Sequence, residues 1–181
     1  MVKTDARVRY TKKVLREALF KCLKEKAIKE ITIKEICDLA EVNRATFYKH
    51  YRDCYDIVRE IEEEQLDEFR VILKSKDKFG TGVTNEILDM LDQKKEINEA
   101  ARAGMLSDNF RAEMRDIAME YAFDDWKQMM PKASDQEVEL ELTVMISASI
   151  QVVVNEAEKY DRETIVKFIN NMINGCVKMY S

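Results

Sequence analysis

The chain holds few of the residues that interrupt regular structure: one proline, Pro131, and four glycines, Gly80, Gly82, Gly104 and Gly175. None falls before position 80, so residues 1–79 lack the usual punctuation of tight β-hairpins. One histidine, His50, leaves no paired His/Glu metal motif, and it stands in no recognisable nucleophile motif with a cysteine or serine. Cys22, Cys37, Cys54 and Cys176 are too widely spaced for a zinc or redox motif and read as reduced thiols. Long apolar runs are missing too. The most apolar stretch, "LTVMISASIQVVV", is broken by serines and a glutamine and is too short to span a bilayer. No basic segment leading into an apolar one opens the chain. These absences point to a soluble cytoplasmic protein with no membrane partner, no metal, no cofactor and no enzymatic constellation.

What is present is hydrophobic content of 46%, enough for a packed core, and an uneven charge. Residues 1–52 carry 14 Lys/Arg against 7 Asp/Glu, a surplus of +7; the net charge of −5 then leaves −12 for residues 53–181. A basic head on an acidic body suits a polyanionic partner at one end, although a solvated surface could show the same asymmetry. The acidic run "EEEQLDE" from Glu62 has no histidine near it and reads as a solvated helix face.

Apolar spacing is helical almost throughout. Leu15, Ala18, Leu19, Cys22 and Leu23 form one stripe. Thr32 and Glu35 make a capping box for a short helix with Ile33, Ile36, Cys37 and Ala40 inward. Asn43 can cap a third helix, and Asp53 a long fourth one reaching about Ser75. Further helices are expected from Val83, over 97–103, from about Asp108 to Pro131, after the capping box Ser134/Glu137, and from Asp161 to Tyr180. The expected fold is all-α.

Within it, the stretch "NRATFYKHY", Asn43 to Tyr51, follows a short helix and a short turn, as in a helix-turn-helix. At 100° per residue Phe47 and Tyr51 share the inner face with Val42, while Ala45, Thr46 and Lys49 point away and Tyr48 lies on the flank. Ala45 permits close backbone approach, Thr46 offers a hydroxyl and a methyl, and Tyr48 and Lys49 can reach phosphates. Arg44, near the start of this helix, is long enough to reach a guanine edge.

"ITIKEICDLAEVNRATFYKHYRDCYDIV", with "TKKVLREALFKCLKEK" before it, resembles the DNA-binding domain of the TetR family of bacterial transcriptional regulators over about residues 8–60. The resemblance rests on the threonine opening the second helix, "TFY" in the third, the aromatic Tyr51 and the apolar Ile57. It implies a phosphate contact at Thr32, a groove-facing Lys34, and recognition contacts at Asn43, Arg44, Ala45, Thr46, Tyr48, Lys49 and His50. It also places Arg9 and Thr11 near the DNA backbone. Cys54 stands where the family usually has lysine, which removes one phosphate contact, and Ala45 stands where many members have glycine.

By this resemblance residues 1–53 are a three-helix DNA-binding domain and 54–181 a helical regulatory and dimerisation domain. The implied protein is a homodimeric repressor that reads a palindromic double-stranded operator and releases it on binding a small apolar or aromatic ligand. A regulator answering to a protein partner, with no inducer, is the alternative, and a helical-bundle enzyme the remote one. Met90, Met105, Phe110, Met114, Phe123 and Trp126 are the expected pocket, against the alternative that they simply close-pack. Ser147, Ile150, Val153, Ile165, Ile169, Met172 and Ile173 are the expected dimer seam, against burial of both stripes within one subunit.

Overall fold

The computed structural model describes residues 6–74, 81–93, 108–153 and 159–181, and every regular element among them is helical. The order is α1 (Ala6–Leu23), a 3-10 turn (Ile28–Glu30), α2 (Ile33–Leu39), α3 (Arg44–Tyr48), α4 (Cys54–Leu73), α5 (Thr81–Gln93), α6 (Asp108–Met129), α7 (Asp135–Gln151) and α8 (Arg162–Met179). The helix expected over 97–103, and Met105 with it, lie outside the described residues. The chain divides into two compact units, Met1–Glu63 and Glu64–Ser181, with the boundary falling in the sequence of α4. The start of α4 belongs to the first unit because Cys54 and Ile57 are buried there, with the Cys54 Sγ 3.8 Å from the Ile31 carbonyl oxygen.

In the first unit α1 packs on α2 and α2 on α3. At seven and five residues, α2 and α3 are too short to persist in water alone. Packing and caps hold them. Ile36 and Phe47 are fully buried, as are Leu15 and Leu19 of α1. The Thr32 hydroxyl accepts from the Glu35 amide while the Glu35 carboxylate accepts from the Thr32 amide at 2.8 Å, the reciprocal box read from the sequence. Asn43 accepts from the Thr46 amide at 2.7 Å, and Asp53 from the Asp56 amide at 2.8 Å.

In the second unit α6 packs on α7, α5 on α8, and α7 on α8. α6 stops before Pro131, which has no amide hydrogen to continue the ladder. Ser134 and Glu137 cap α7 reciprocally, and Asp161 caps α8 by accepting from the Thr164 amide at 2.9 Å. α7 is apolar on two sides. Val138, Leu142 and Met145 are buried, whereas Leu140 and Val144 are exposed.

This placement turns three residues of the expected seam inward. Val153, Ile165 and Ile169 are at most 5% exposed within the single chain, clustered with Leu88 and Val166. Ile150, Met172 and Ile173 are half-buried against the core clusters, and only Ser147 of that set is exposed. The physical reason is that α5 packs on α8 and takes the inner part of its long stripe. Apolar periodicity says that a face needs a neighbour but not which one. The side chains left uncovered are Leu140 and Val144 on α7 and Phe168 and Met179 on α8, all 48–67% exposed.

Candidate nucleic-acid interface and ligand cavity

The outward face of α3 is built from the inside. Phe47 is fully buried, its ring edge-on to Tyr48 at 5.7 Å and tilted to Tyr51 at 6.0 Å. With that ring fixed inward, Asn43, Arg44, Ala45, Tyr48 and Lys49 are exposed and Thr46 is half-exposed. His50 follows the helix in a turn and is half-buried. Lys34 on α2, Thr32 at its cap and Arg9 on α1 are exposed as well; Thr11 is half-buried, and its hydroxyl donates to the Arg7 carbonyl at 2.9 Å. Two of these groups have local duties. The Thr32 hydroxyl donates to the Glu35 carboxylate at 2.8 Å, and the Asn43 side-chain oxygen caps α3.

A network not foreseen in the sequence sets the tilt of this motif. The Glu60 carboxylate on α4 accepts from Tyr51 Oη at 2.5 Å, from Arg16 at 2.9 Å and from Lys12 Nζ. The Lys12 ammonium also sits 5.5 Å from the centre of the Tyr51 ring. Burial works against the Glu60 charge, but the hydrogen bonds from Lys12, Tyr51 and Arg16 outweigh it and bring the carboxyl down to about 2. Burial, and then the same carboxylate, push the Tyr51 hydroxyl well above its ordinary range. One acid thus ties α1, the residue closing the helix-turn-helix, and α4. The only sequence signal was Lys12 and Arg16 at i, i+4 on α1.

The turn between α2 and α3 carries a second unforeseen feature. Glu41 has a φ of 55°, the left-handed region that a side chain disfavours. The cysteines are quiet: all four are buried, and burial first of all pushes Cys54 up to about 11 and Cys176 up to about 12.

The second unit holds a partly open apolar cavity of about 130 Å³ to which α4, α5, α6, α7 and α8 all contribute. Met90, Met114 and Trp126 of the expected pocket line it. Phe110 and Phe123 do not, which corrects that expectation. Phe110 is buried one turn before Met114, in the cluster with Leu66 and Phe69, and Phe123 sits off the row of Met114, Ala118, Ala122 and Trp126, half-buried beside the Trp126 cluster. Phe69 and Leu73 of α4, and the hydroxyl residues Thr84 and Ser149, line it without having been foreseen. Their part in it depends on how five helices assemble.

An all-α chain with a short helix, a turn and a second short helix whose polar face points outward is a helix-turn-helix protein. Its fold is that of the TetR transcriptional regulators. A TetR transcriptional regulator from Streptococcus agalactiae 2603V superposes with a TM-score of 0.64 at 20% identity, over 92% of this chain and 95% of that one. The dihydroxyacetone kinase operon activator DhaS superposes with a TM-score of 0.62 at 15% identity, over 94% and 98% of the two chains. The uncharacterized HTH-type transcriptional regulator YxbF of Bacillus subtilis (strain 168) is 38% identical over 53 residues, 29% of this chain and 14% of that protein. No protein-family model matches the sequence. Among the described residues no helix is long and apolar enough to cross a membrane, and no group of three His, Cys, Asp or Glu side chains could hold a metal ion.

Proposed function

We propose that the chain is a sequence-specific, ligand-responsive repressor that binds a palindromic operator as a homodimer. Residues 1–53 would read DNA, and 54–181 would sense the ligand and pair the subunits. The observation carrying this reading is the α3 face. A fully buried Phe47 leaves Arg44, Ala45, Tyr48 and Lys49 projecting from a unit whose first 52 residues have a surplus of seven positive charges. Arg44 would reach a base edge; Tyr48, Lys49, Lys34 and Arg9 would meet phosphates. Paired recognition helices would then enter major grooves one turn, about 34–36 Å, or a multiple of it apart.

The dimer surface in this reading is the uncovered face of α7 and α8: Leu140, Val144 and Ser147 with Phe168, Gly175 and Met179. A Cβ at Gly175 would meet nothing within 4 Å, so a second helix can approach closely there. Pairing of these two helices with their symmetry mates makes a four-helix bundle. α4 supports the coupling, since it carries both Glu60, which holds the DNA-reading motif, and Phe69 and Leu73, which line the cavity. A ligand that favours one position of α4 biases the heads only by its differential affinity for the two states.

Selection of genomic fragments by the purified protein, followed by a mobility-shift assay on the enriched sequence, tests the reading. Enrichment of an inverted repeat is expected. Recovery of no preferred sequence at low salt would refute it. Because one structural neighbour is named an operon activator, transcription from the selected promoter, with and without the protein, decides the sign of regulation.

A further inference from the structure

We propose that the cavity of the second unit takes a neutral molecule of about one aromatic ring, bearing at most a single uncharged polar group. This rests on the reading of that unit as a ligand sensor and names the chemical class it would sense.

Three observations carry the inference. The first is charge: among the described residues no Asp, Glu, Lys, Arg or His lines the cavity. An ionised ligand would exchange its hydration for an apolar wall with no charged partner among the described residues. Among the described residues the side-chain hydroxyls in the lining are those of Thr84 on α5 and Ser149 on α7. Either can donate or accept, so a phenolic hydroxyl or a carbonyl can be met but a carboxylate or ammonium cannot.

The second is size. An apolar cavity of about 150 Å³ admits benzene and stays dry without it. At about 130 Å³ this one matches a single six-membered ring or a branched chain of similar bulk. The third is the nature of the wall. Met90, Met114 and Met145 present thioethers, which make favourable contacts with ring edges, and Trp126 presents an indole.

Trp126 also supplies the test, because it is the only tryptophan in the chain and is 2% exposed. The full-length protein is titrated with iodobenzene, whose heavy atom quenches indole fluorescence on contact, and in parallel with 4-iodobenzoate and 1-iodonaphthalene. Iodobenzene should quench saturably, with an apparent Kd at least tenfold below that of either other probe. Quenching that never saturates, or 4-iodobenzoate acting as well as iodobenzene, would overturn the class. Ala118→Leu fills the cavity and should abolish saturable quenching; a folded variant that still quenches would overturn the location. Should that variant fail to fold, as judged by circular dichroism, Ser149→Leu serves the same purpose from α7. DNA retention is measured on the same samples. If iodobenzene binds as expected but leaves DNA retention unchanged, the ligand class stands and the sensor reading falls.

Discussion

At the scale of single residues, the same short segment combines a packing duty with the proposed recognition duty, and mutation can separate them. Phe47 is fully buried, so Phe47→Ala should cost the first unit about 3–5 kcal/mol. Lys49 is exposed, and Lys49→Ala should change stability by no more than about 0.5 kcal/mol while lowering the salt dependence of DNA binding by about one unit of slope. Urea melts beside mobility shifts at several salt concentrations check both; equal melting losses would refute the assignment of faces. Glu41 invites the opposite change. Its left-handed backbone is strained with a side chain, so Glu41→Gly should raise stability by about 0.5–1 kcal/mol, part of the relief being offset by the greater freedom of glycine in the unfolded chain. Glu60 should give the first unit an acid limb. Its carboxyl is depressed to about 2 in the fold against about 4.3 in an unfolded chain. Between those values the unfolded state binds more protons, so stability should be full above about pH 4.5 and fall as pH drops toward 2. Glu60→Gln should flatten that limb and remove the charged acceptor that Lys12 and Arg16 share, at a cost of about 1–3 kcal/mol. Denaturant melts from pH 2 to 6 on both proteins measure it.

At the scale of elements, the stability of each helix comes from what it rests on. α8 is fastened at its start by Arg162, which donates to the Asn85 side-chain oxygen at 2.9 Å and the Asn85 carbonyl at 2.5 Å. It also pairs with Asp89 at 2.8 Å. Asn85 and Asp89 lie on α5, whose other residues Thr84 and Met90 line the cavity. Arg162→Ala should therefore cost about 1–2 kcal/mol, discounted for partial exposure of the pair, and loosen α5 more than α6 or α7. Hydrogen exchange by mass spectrometry would register faster exchange over residues 81–93; uniform acceleration across the second unit would contradict the clasp.

At the scale of the whole molecule, the prediction concerns faces of α7 and α8. Ile169 is 3% exposed within one chain and Phe168, its neighbour, is 48% exposed. A buried unpaired carboxylate is far costlier than an exposed one, so Ile169→Glu should unfold the second unit. Phe168→Glu and Val144→Glu should leave it folded and convert the proposed dimer to monomers, with loss of the proposed coupling between half-sites. Sedimentation and circular dichroism on the three variants separate the cases. A wild type that sediments as a monomer at micromolar concentration yet binds a palindrome tightly would refute the dimer.

The elements of this protein are local consequences of its residues. Thr32/Glu35, Asn43, Ser134/Glu137 and Asp161 mark helix starts through hydrogen bonds within one turn, and Pro131 marks an end through its missing amide hydrogen. The inward Phe47 and outward Lys49 follow from a 100° rotation per residue, so the candidate DNA-reading face was legible too. Glu60 joining Tyr51, Arg16 and Lys12 was not, because the acid is 48 residues from its lysine and no spacing rule spans that distance. The cavity required five helices to leave a gap of about 130 Å³, and a gap is a property of their packing rather than of any segment. Part of the expected seam, Val153, Ile165 and Ile169, turned inward for a related reason. The sequence shows that α8 has a long apolar stripe, but whether α5 of the same chain or another copy covers each part of it is decided only when α5 comes to rest there.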